Sequence, residues 1–177
     1  MTRFCRRITG ALRLDAQTYE EVEADSSATL QALAVVLLAS IATGIGFIRS
    51  GEPWLPIIAL HAIGALIGWI VWAALIYGFG VYALPGPETR SSIGELLRTT
   101  GFASAPAALR ILTGVPVVGS FAFILGTVWM FAAMVIAVQR ALDYRSVWRA
   151  LAVCATGWLL SFVFVAVIGM AFEPSVF

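Results

Sequence analysis

From Leu55 to Leu84 the chain runs for 30 residues without a charged side chain. As an α-helix that run would extend roughly 45 Å, against a bilayer hydrocarbon core of about 30 Å. A chain of 177 residues, 60% of them hydrophobic and only 12% charged, lacks the polar surface a soluble domain needs; soluble domains average roughly 45–50% apolar and 25% charged residues. The protein is therefore expected to be an all-α, polytopic membrane helical bundle. The run is longer than a crossing requires, so it must tilt, protrude or break. Gly78 and Gly80 are the expected places, and Pro85-Gly86-Pro87 ends it.

Three further segments are long and apolar enough to cross: about 28–48, 121–138 and 147–172. A fourth, 102–118, is only 17 residues long, about 26 Å if helical, and carries Arg110 between Pro106 and Pro116. Hydropathy does not decide whether it crosses. Charge does. All 11 basic residues are arginine, and cytoplasmic loops concentrate them. If 102–118 crosses, Arg3, Arg6, Arg7, Arg13, Arg90, Arg98, Arg140, Arg145 and Arg149 all fall on the cytoplasmic side, Arg49 alone lies outside, and Arg110 is within the membrane. If it does not, the loop with Arg140, Arg145 and Arg149 faces outward. The sequence thus predicts five spans, a cytoplasmic N-terminus and a short tail outside. Residues 1–27 form a cytoplasmic segment and residues 28–177 the membrane domain, in a membrane read as the prokaryotic cytoplasmic one.

Between Met1 and Leu14, Phe4, Ile8, Ala11 and Leu12 recur at helical spacing among four arginines. The segment lacks the apolar core of a signal peptide. It predicts an amphipathic helix in the headgroup layer with its apolar stripe toward the acyl chains. The acidic stretch Asp15 to Asp25 is expected as a solvated helical turn running into the first span without a break. Between the second and third spans, Ser92-Ile93-Gly94-Glu95 fits a capping box, and Ile93, Leu96 and Leu97 predict a short helix lying along the membrane surface.

Helices in lipid associate through small residues and polar contacts. Gly64 and Gly68 form a GxxxG step, with His61 and Trp72 expected on the same face. Ser40 with Gly44, Ala122 with Gly126, and Ala150, Cys154, Gly157 and Ser161 mark faces on other spans. Pro106 removes an amide donor and so frees a carbonyl within its own helix. Trp54 and Trp148 are expected as interfacial anchors.

Chemistry-bearing patterns are scarce. His61 is the single histidine, so a bis-imidazole haem or a metal site has no second ligand at helical spacing. No carboxylate pair lies in a span, no Ser-His or Cys-His pair shares a site, and a phosphate loop ending in Lys is impossible in a chain without Lys. No catalytic residue, cofactor or metal is expected, and a net charge of +1 with dispersed arginines gives no nucleic-acid face. Cys5 and Cys154 lie too far apart in the expected topology to pair. Asp143, Tyr144 and Arg145, at the cytoplasmic face, are read as loop polarity, with a contact patch as the alternative. Arg110 stands out. An arginine near mid-membrane costs roughly 2.5–3.5 kcal/mol on insertion scales, and no acidic residue in any span could neutralise it. Two readings stand: a lipid-headgroup or anion contact at a broken hairpin, or a side chain that snorkels to the interface.

Thr18-Tyr19-Glu20-Glu21-Val22-Glu23 precedes the first span, and Leu97-Arg98-Thr99-Thr100-Gly101-Phe102-Ala103-Ser104-Ala105-Pro106 opens the short segment. Val115-Pro116-Val117-Val118-Gly119 marks a hairpin, followed by a span through Trp129 into Gln139-Arg140-Ala141-Leu142. In these motifs and their order, over nearly its whole length, the chain resembles the prokaryotic branch of the Yip-domain family, multispanning proteins named for Ypt/Rab-interacting membrane proteins. The resemblance implies five spans with a cytoplasmic N-terminus. It also implies roles in membrane shaping and trafficking in the eukaryotic members, which bind prenylated Rab GTPases. Their long cytoplasmic N-terminal region and Asp-Leu-Tyr-Gly-Pro type motif are not found here, so Rab binding is not carried over.

The function expected is that of a non-enzymatic membrane protein that organises the bilayer or scaffolds a membrane-protein partner or a second copy of itself. The competing expectation is a small-solute or lipid transporter built around the broken third span and Arg110.

Overall fold

The computed structural model describes residues 2–49 and 51–172, with side chains described through Ser161. The chain is all-α within these residues. Helix α1 spans Arg3–Leu12, α2 Ala16–Ala24, α3 Ala28–Phe47 and α4 Trp54–Tyr77, which continues as a π-helical turn over Gly78–Ala83. Helix α5 spans Ile93–Ala103 and is followed by a 3₁₀ helix, Ala105–Gly114; α6 spans Val118–Ala141 and α7 Val147–Phe172. Three of these, Ala28–Phe47, Trp54–Ala83 and Val118–Ala141, are long and apolar enough to cross a membrane, and Val147–Ser161 is a shorter apolar helix. Ser50 and the expected tail from Glu173 fall outside the described residues.

The long apolar run departs from α geometry at Gly78. Tyr144, in the turn between α6 and α7, supports this departure, its hydroxyl donating to the carbonyls of Gly80 at 2.9 Å and Leu84 at 2.7 Å. Those bonds satisfy backbone acceptors that the altered turn leaves without helical partners. Tyr144 is thus more than loop polarity. Arg145 pairs with Glu88 across the same loops, and the Arg149 guanidinium lies 5.8 Å over the Tyr144 ring.

The segment 88–118 differs most from expectation. The capping box forms as expected, with Ser92 N–H donating to Glu95 Oε2 at 2.8 Å and Glu95 N–H to Ser92 Oγ at 3.3 Å. The helix it starts is not a surface helix. Leu96, Thr99, Thr100, Gly101, Phe102 and Ala103 are buried. Its polar groups tolerate burial because they are bonded: Thr99 to Glu95 O, Thr100 to Leu96 O, and Arg98 to the carbonyls of Val22 and Glu23. Residues 102–118, expected to form a span of their own, therefore continue a helical path that begins about ten residues earlier. It consists of α5 and the 3₁₀ helix in series, and the Val115–Val117 turn ends it. Eleven α-helical and ten 3₁₀ residues reach roughly 36 Å, because a 3₁₀ helix rises about 2.0 Å per residue rather than 1.5.

This composite path runs beside α3 in the same direction. Gly101 lies against Ala32 near the start of α3, and Gly46 lies against Arg110 and Ile111 near its end. Helix α4 returns between these levels: Gly44 packs on Ile58 and His61 at one end, and the Trp69 indole donates to Leu97 O and Thr100 Oγ1 further along. Helix α6 returns likewise, from Gly119 against Thr113 to Arg140 paired with Glu20. Helix α7 packs Gly157 on the Trp72 ring, and Phe131 of α6 faces Trp158 at 4.8 Å between ring centres.

The N-terminal segment is a helical hairpin, turned at Leu14 (φ 60). The stripe expected to face acyl chains faces protein instead: Ala11 is fully buried, and Phe4, Ile8 and Leu12 pack on a core that includes Tyr19, Phe102 and Ala103. Nor is the acidic stretch a solvated lead-in. Helix α2 buries Tyr19 and Val22 and is separated from α3 by a break at Asp25.

Candidate functional site

The two sites with unusual polar content lie at opposite ends of the bundle. At the hairpin end, Arg7 is 1% exposed. Its guanidinium donates to Asp25 at 2.6 Å, Glu21 at 3.2 Å and Gln31 at 3.1 Å, tying α1 to α2 and to the first turn of α3. Exposed Arg6 adds a two-pronged contact with Glu21. The Trp129 indole reaches from α6 to Leu12 O at 3.0 Å, so the hairpin is bonded to the bundle from several sides.

Electrostatics at this end are uneven. The Ser27 hydroxyl, then the Arg7 guanidinium, hold the Asp25 carboxyl well below the usual carboxylate range. Burial, reinforced by Asp143, Glu95 and Glu20, pushes Glu23 up to about 7, with Arg98 opposing. Arg98 spends its bonds on backbone carbonyls rather than on the Glu23 carboxylate, which leaves that carboxylate poorly compensated.

Toward the other end, the 3₁₀ helix places Arg110 between α3 and α6. Arg110 Nη2 donates to Thr127 Oγ1 at 2.9 Å, and the guanidinium lies 5.0 Å over the Phe123 ring. Phe123 meets Phe47 edge-on at 6.3 Å, and Phe47 stacks on His61 at 5.4 Å. The single histidine and the embedded arginine thus close the two ends of one aromatic ladder across α4, α3 and α6. His61 Nδ1 is engaged with Ile57 O at 2.8 Å. Arg110 Nε is buried without a partner among the described residues.

The sequence-marked packing residues separate into two groups. Gly126 comes within van der Waals reach of the Pro106 carbonyl and Leu109, and Gly157 of Trp72, so Pro106, Gly126 and Gly157 stand at close helix approaches. His61 faces α3 through Phe47 and Gly44. Gly64 and Gly68 have no described atom within 4 Å of a Cβ added there, so no described helix packs against that part of the α4 face. Successive GxxxG positions drift around a 3.6-residue helix, and α4 buries a neighbouring stripe that includes Ala73 and Ile76. Cys5 is exposed and Cys154 buried. Among the described residues, no three His, Cys, Asp or Glu side chains gather where they could hold a metal.

Sequence reasoning missed the buried role of Arg7 and the bonds that Trp129 and Tyr144 make to distant carbonyls. Only Arg7 had a readable signal: a basic helix followed, after a short turn, by an acidic one of similar length, which is the charge pattern of a paired hairpin.

The sequence profile of the Yip1 domain matches residues 10–168. No curated protein and no solved structure matches the chain.

Proposed function

The chain belongs to the Yip1 domain family and is a non-enzymatic, multi-pass membrane protein; from that premise we propose that it organises the bilayer as a five-crossing wedge. The single observation that carries this reading is the pairing of the α5–3₁₀ path with α3 from Ala32 to Gly46. If α3 crosses, so does the path beside it. Alternation then puts the hairpin, Arg90, Arg98, Arg140, Arg145 and Arg149 on one side, in line with the positive-inside rule, and the N-terminus in the cytoplasm. Residues 1–27 are the cytoplasmic segment and residues 28–177 the membrane domain, with the C-terminus outside, in a prokaryotic cytoplasmic membrane. Exposed Trp148 at the hairpin end and Trp54 at the other suit the two interfacial levels.

Helix α1 does not offer its apolar stripe to lipid, so shallow insertion of that stripe is not the source of curvature. Instead, the docked hairpin adds two helices at one end only, and its exposed Arg3 and Arg13 suit anionic headgroups. Unequal cross-section in the two leaflets favours bending. Reconstitution into liposomes should change their size or shape, more so with anionic lipid; unaltered liposomes across lipid compositions would overturn the proposal. Arg110 belongs to the same reading as a lipid or anion contact, supported by its unpartnered Nε. Arg110→Leu should reduce co-purifying phospholipid, and unchanged lipid content would leave Arg110 only its packing role.

A further inference from the structure

The hairpin meets the bundle along two seams of different chemistry. One is apolar. Phe4, Ile8 and Leu12 of α1 pack on a cluster that, on the bundle side, holds Phe102 and otherwise mostly alanine: Ala28, Ala32, Ala103, Ala133 and Ala137. Alanines have little side-chain area to lose if a neighbour leaves, and the α1 stripe would be buried equally well among acyl chains. The other seam is charged, where α2 meets α5 and the end of α6. Arg98 of α5 donates to the Val22 and Glu23 carbonyls at 3.2 and 3.1 Å, and Arg140 of α6 donates to the Glu20 carboxylate at 2.8 Å. These bonds bring two more carboxylates toward half-buried Glu23: Glu95, one turn before Arg98, and Asp143, three residues beyond Arg140. Four carboxylates from three places in the chain thus share this seam with two arginines. Arg140 is engaged with Glu20, Glu95 accepts from the Ser92 N–H at 2.8 Å, and Arg98 is turned to carbonyls. Arg6 and Arg7 of α1 lie along another side of α2, on Glu21 and Asp25. An ionised Glu23 therefore faces like charges with no donor of its own.

The joint to the bundle can pivot. Asp25 is extended between α2 and α3, and Ser27 gives α3 no side-chain cap. We propose that the hairpin is a proton-held latch: with Glu23 protonated, α2 stays seated on α5 and α6; with Glu23 ionised, the hairpin swings out about Asp25–Ser27 and α1 lays its apolar stripe in the adjoining leaflet. In the docked form that stripe faces protein; release gives it lipid as a second partner, with the α1 arginines beside anionic headgroups. Burial, then the neighbouring carboxylates, hold the docked Glu23 near 7, against an ordinary value of 4.5. The docked form thus binds the proton more tightly, acid favours docking, and the docked-to-released ratio falls about tenfold from pH 6 to pH 8. The proposal rests on the reading that the hairpin end lies at a membrane surface, but not on the number of crossings.

The test is double electron–electron resonance on the full chain in lipid nanodiscs. One spin label sits on exposed Cys5 of α1 and the other on Arg90→Cys in the exposed loop before α5, with Cys154 replaced by alanine. At pH 6 a single docked distance should dominate. At pH 8 a longer distance should gain about tenfold relative to it, and more in nanodiscs containing phosphatidylglycerol than in phosphatidylcholine alone. Glu23→Gln should keep the docked distance at both pH values, and Asp143→Asn, which removes one repelling charge, should shrink the response. If Glu23→Gln fails to fold, the unaltered chain and Asp143→Asn decide. One unchanging distance, or a pH response that survives Glu23→Gln or is undiminished in Asp143→Asn, would overturn the latch. Equal release in the two lipids would overturn insertion of the stripe. The distance does not depend on how many helices cross, so failure here is distinct from failure of the five-crossing reading.

Discussion

Gly46 of α3 sits directly against the carbonyl oxygen of Arg110, so closely that a Cβ at position 46 would overlap it. The contact is backbone to backbone, and neither side can swing aside as a side chain could. It fixes the last turns of the 3₁₀ helix to the last turn of α3. It also explains how a segment with two prolines and an arginine stays within the bundle: helices in lipid gain from close approach, and glycine permits the closest.

Gly46→Val should therefore lower the thermal stability of the detergent-solubilised protein by about 2–3 kcal/mol, in the range of severe overpacking. Gly78→Ala, where an added Cβ meets no described atom, should leave stability unchanged or slightly raised. Equal effects from the two would mean that the contact at Gly46 is dispensable.

The hairpin depends on a buried cation. Arg7→Leu removes bonds to Asp25, Glu21 and Gln31 at once, and should destabilise the docked hairpin by roughly 2–3 kcal/mol, as expected when charge-assisted bonds to a buried partner are lost. Limited proteolysis near Leu14 should accelerate. Arg6→Ala, on the exposed side, should cost less than about 1 kcal/mol.

Acidity should tighten the hairpin. Glu23 is held near 7, above its ordinary value of 4.5, so the folded state binds its proton more readily than the unfolded state does. Stability is therefore lowest above pH 7, rises as pH falls from about 7 toward 4.5, and gains nothing further from this group below that. Asp25 works in the opposite sense: its depressed carboxyl stabilises the fold above the unfolded value and loses that contribution only under stronger acid. Thermal melts should thus improve from pH 8 to pH 6. Glu23→Gln should remove that improvement and raise the melting temperature at pH 8; a variant that melts as the parent does at both pH values would contradict the assignment to Glu23.

Much of the architecture was legible because hydropathy in lipid is a strong signal. The long run with its break at Gly78, the first span, the Ser92 capping box and the span through Trp129 all follow from composition and local rules. What failed was the use of amphipathic pattern to decide between lipid and protein. Phe4, Ile8 and Leu12 make the same stripe whether they face acyl chains or Phe102, and Leu96 looks the same in an interfacial helix as in a buried one. Thr99 and Thr100 are polar by type, yet they are buried, their hydroxyls bonded to carbonyls of their own helix.

The most direct test of the central claim uses Val117, which is 95% exposed at the turn where the 3₁₀ helix passes into α6. Val117→Cys, in a chain whose Cys5 and Cys154 have been replaced by serine and alanine, should react in intact cells with a thiol reagent that cannot cross the membrane. Labelling that appears only after the cells are opened would place this turn on the cytoplasmic side, and the α5–3₁₀ path would then not be a crossing.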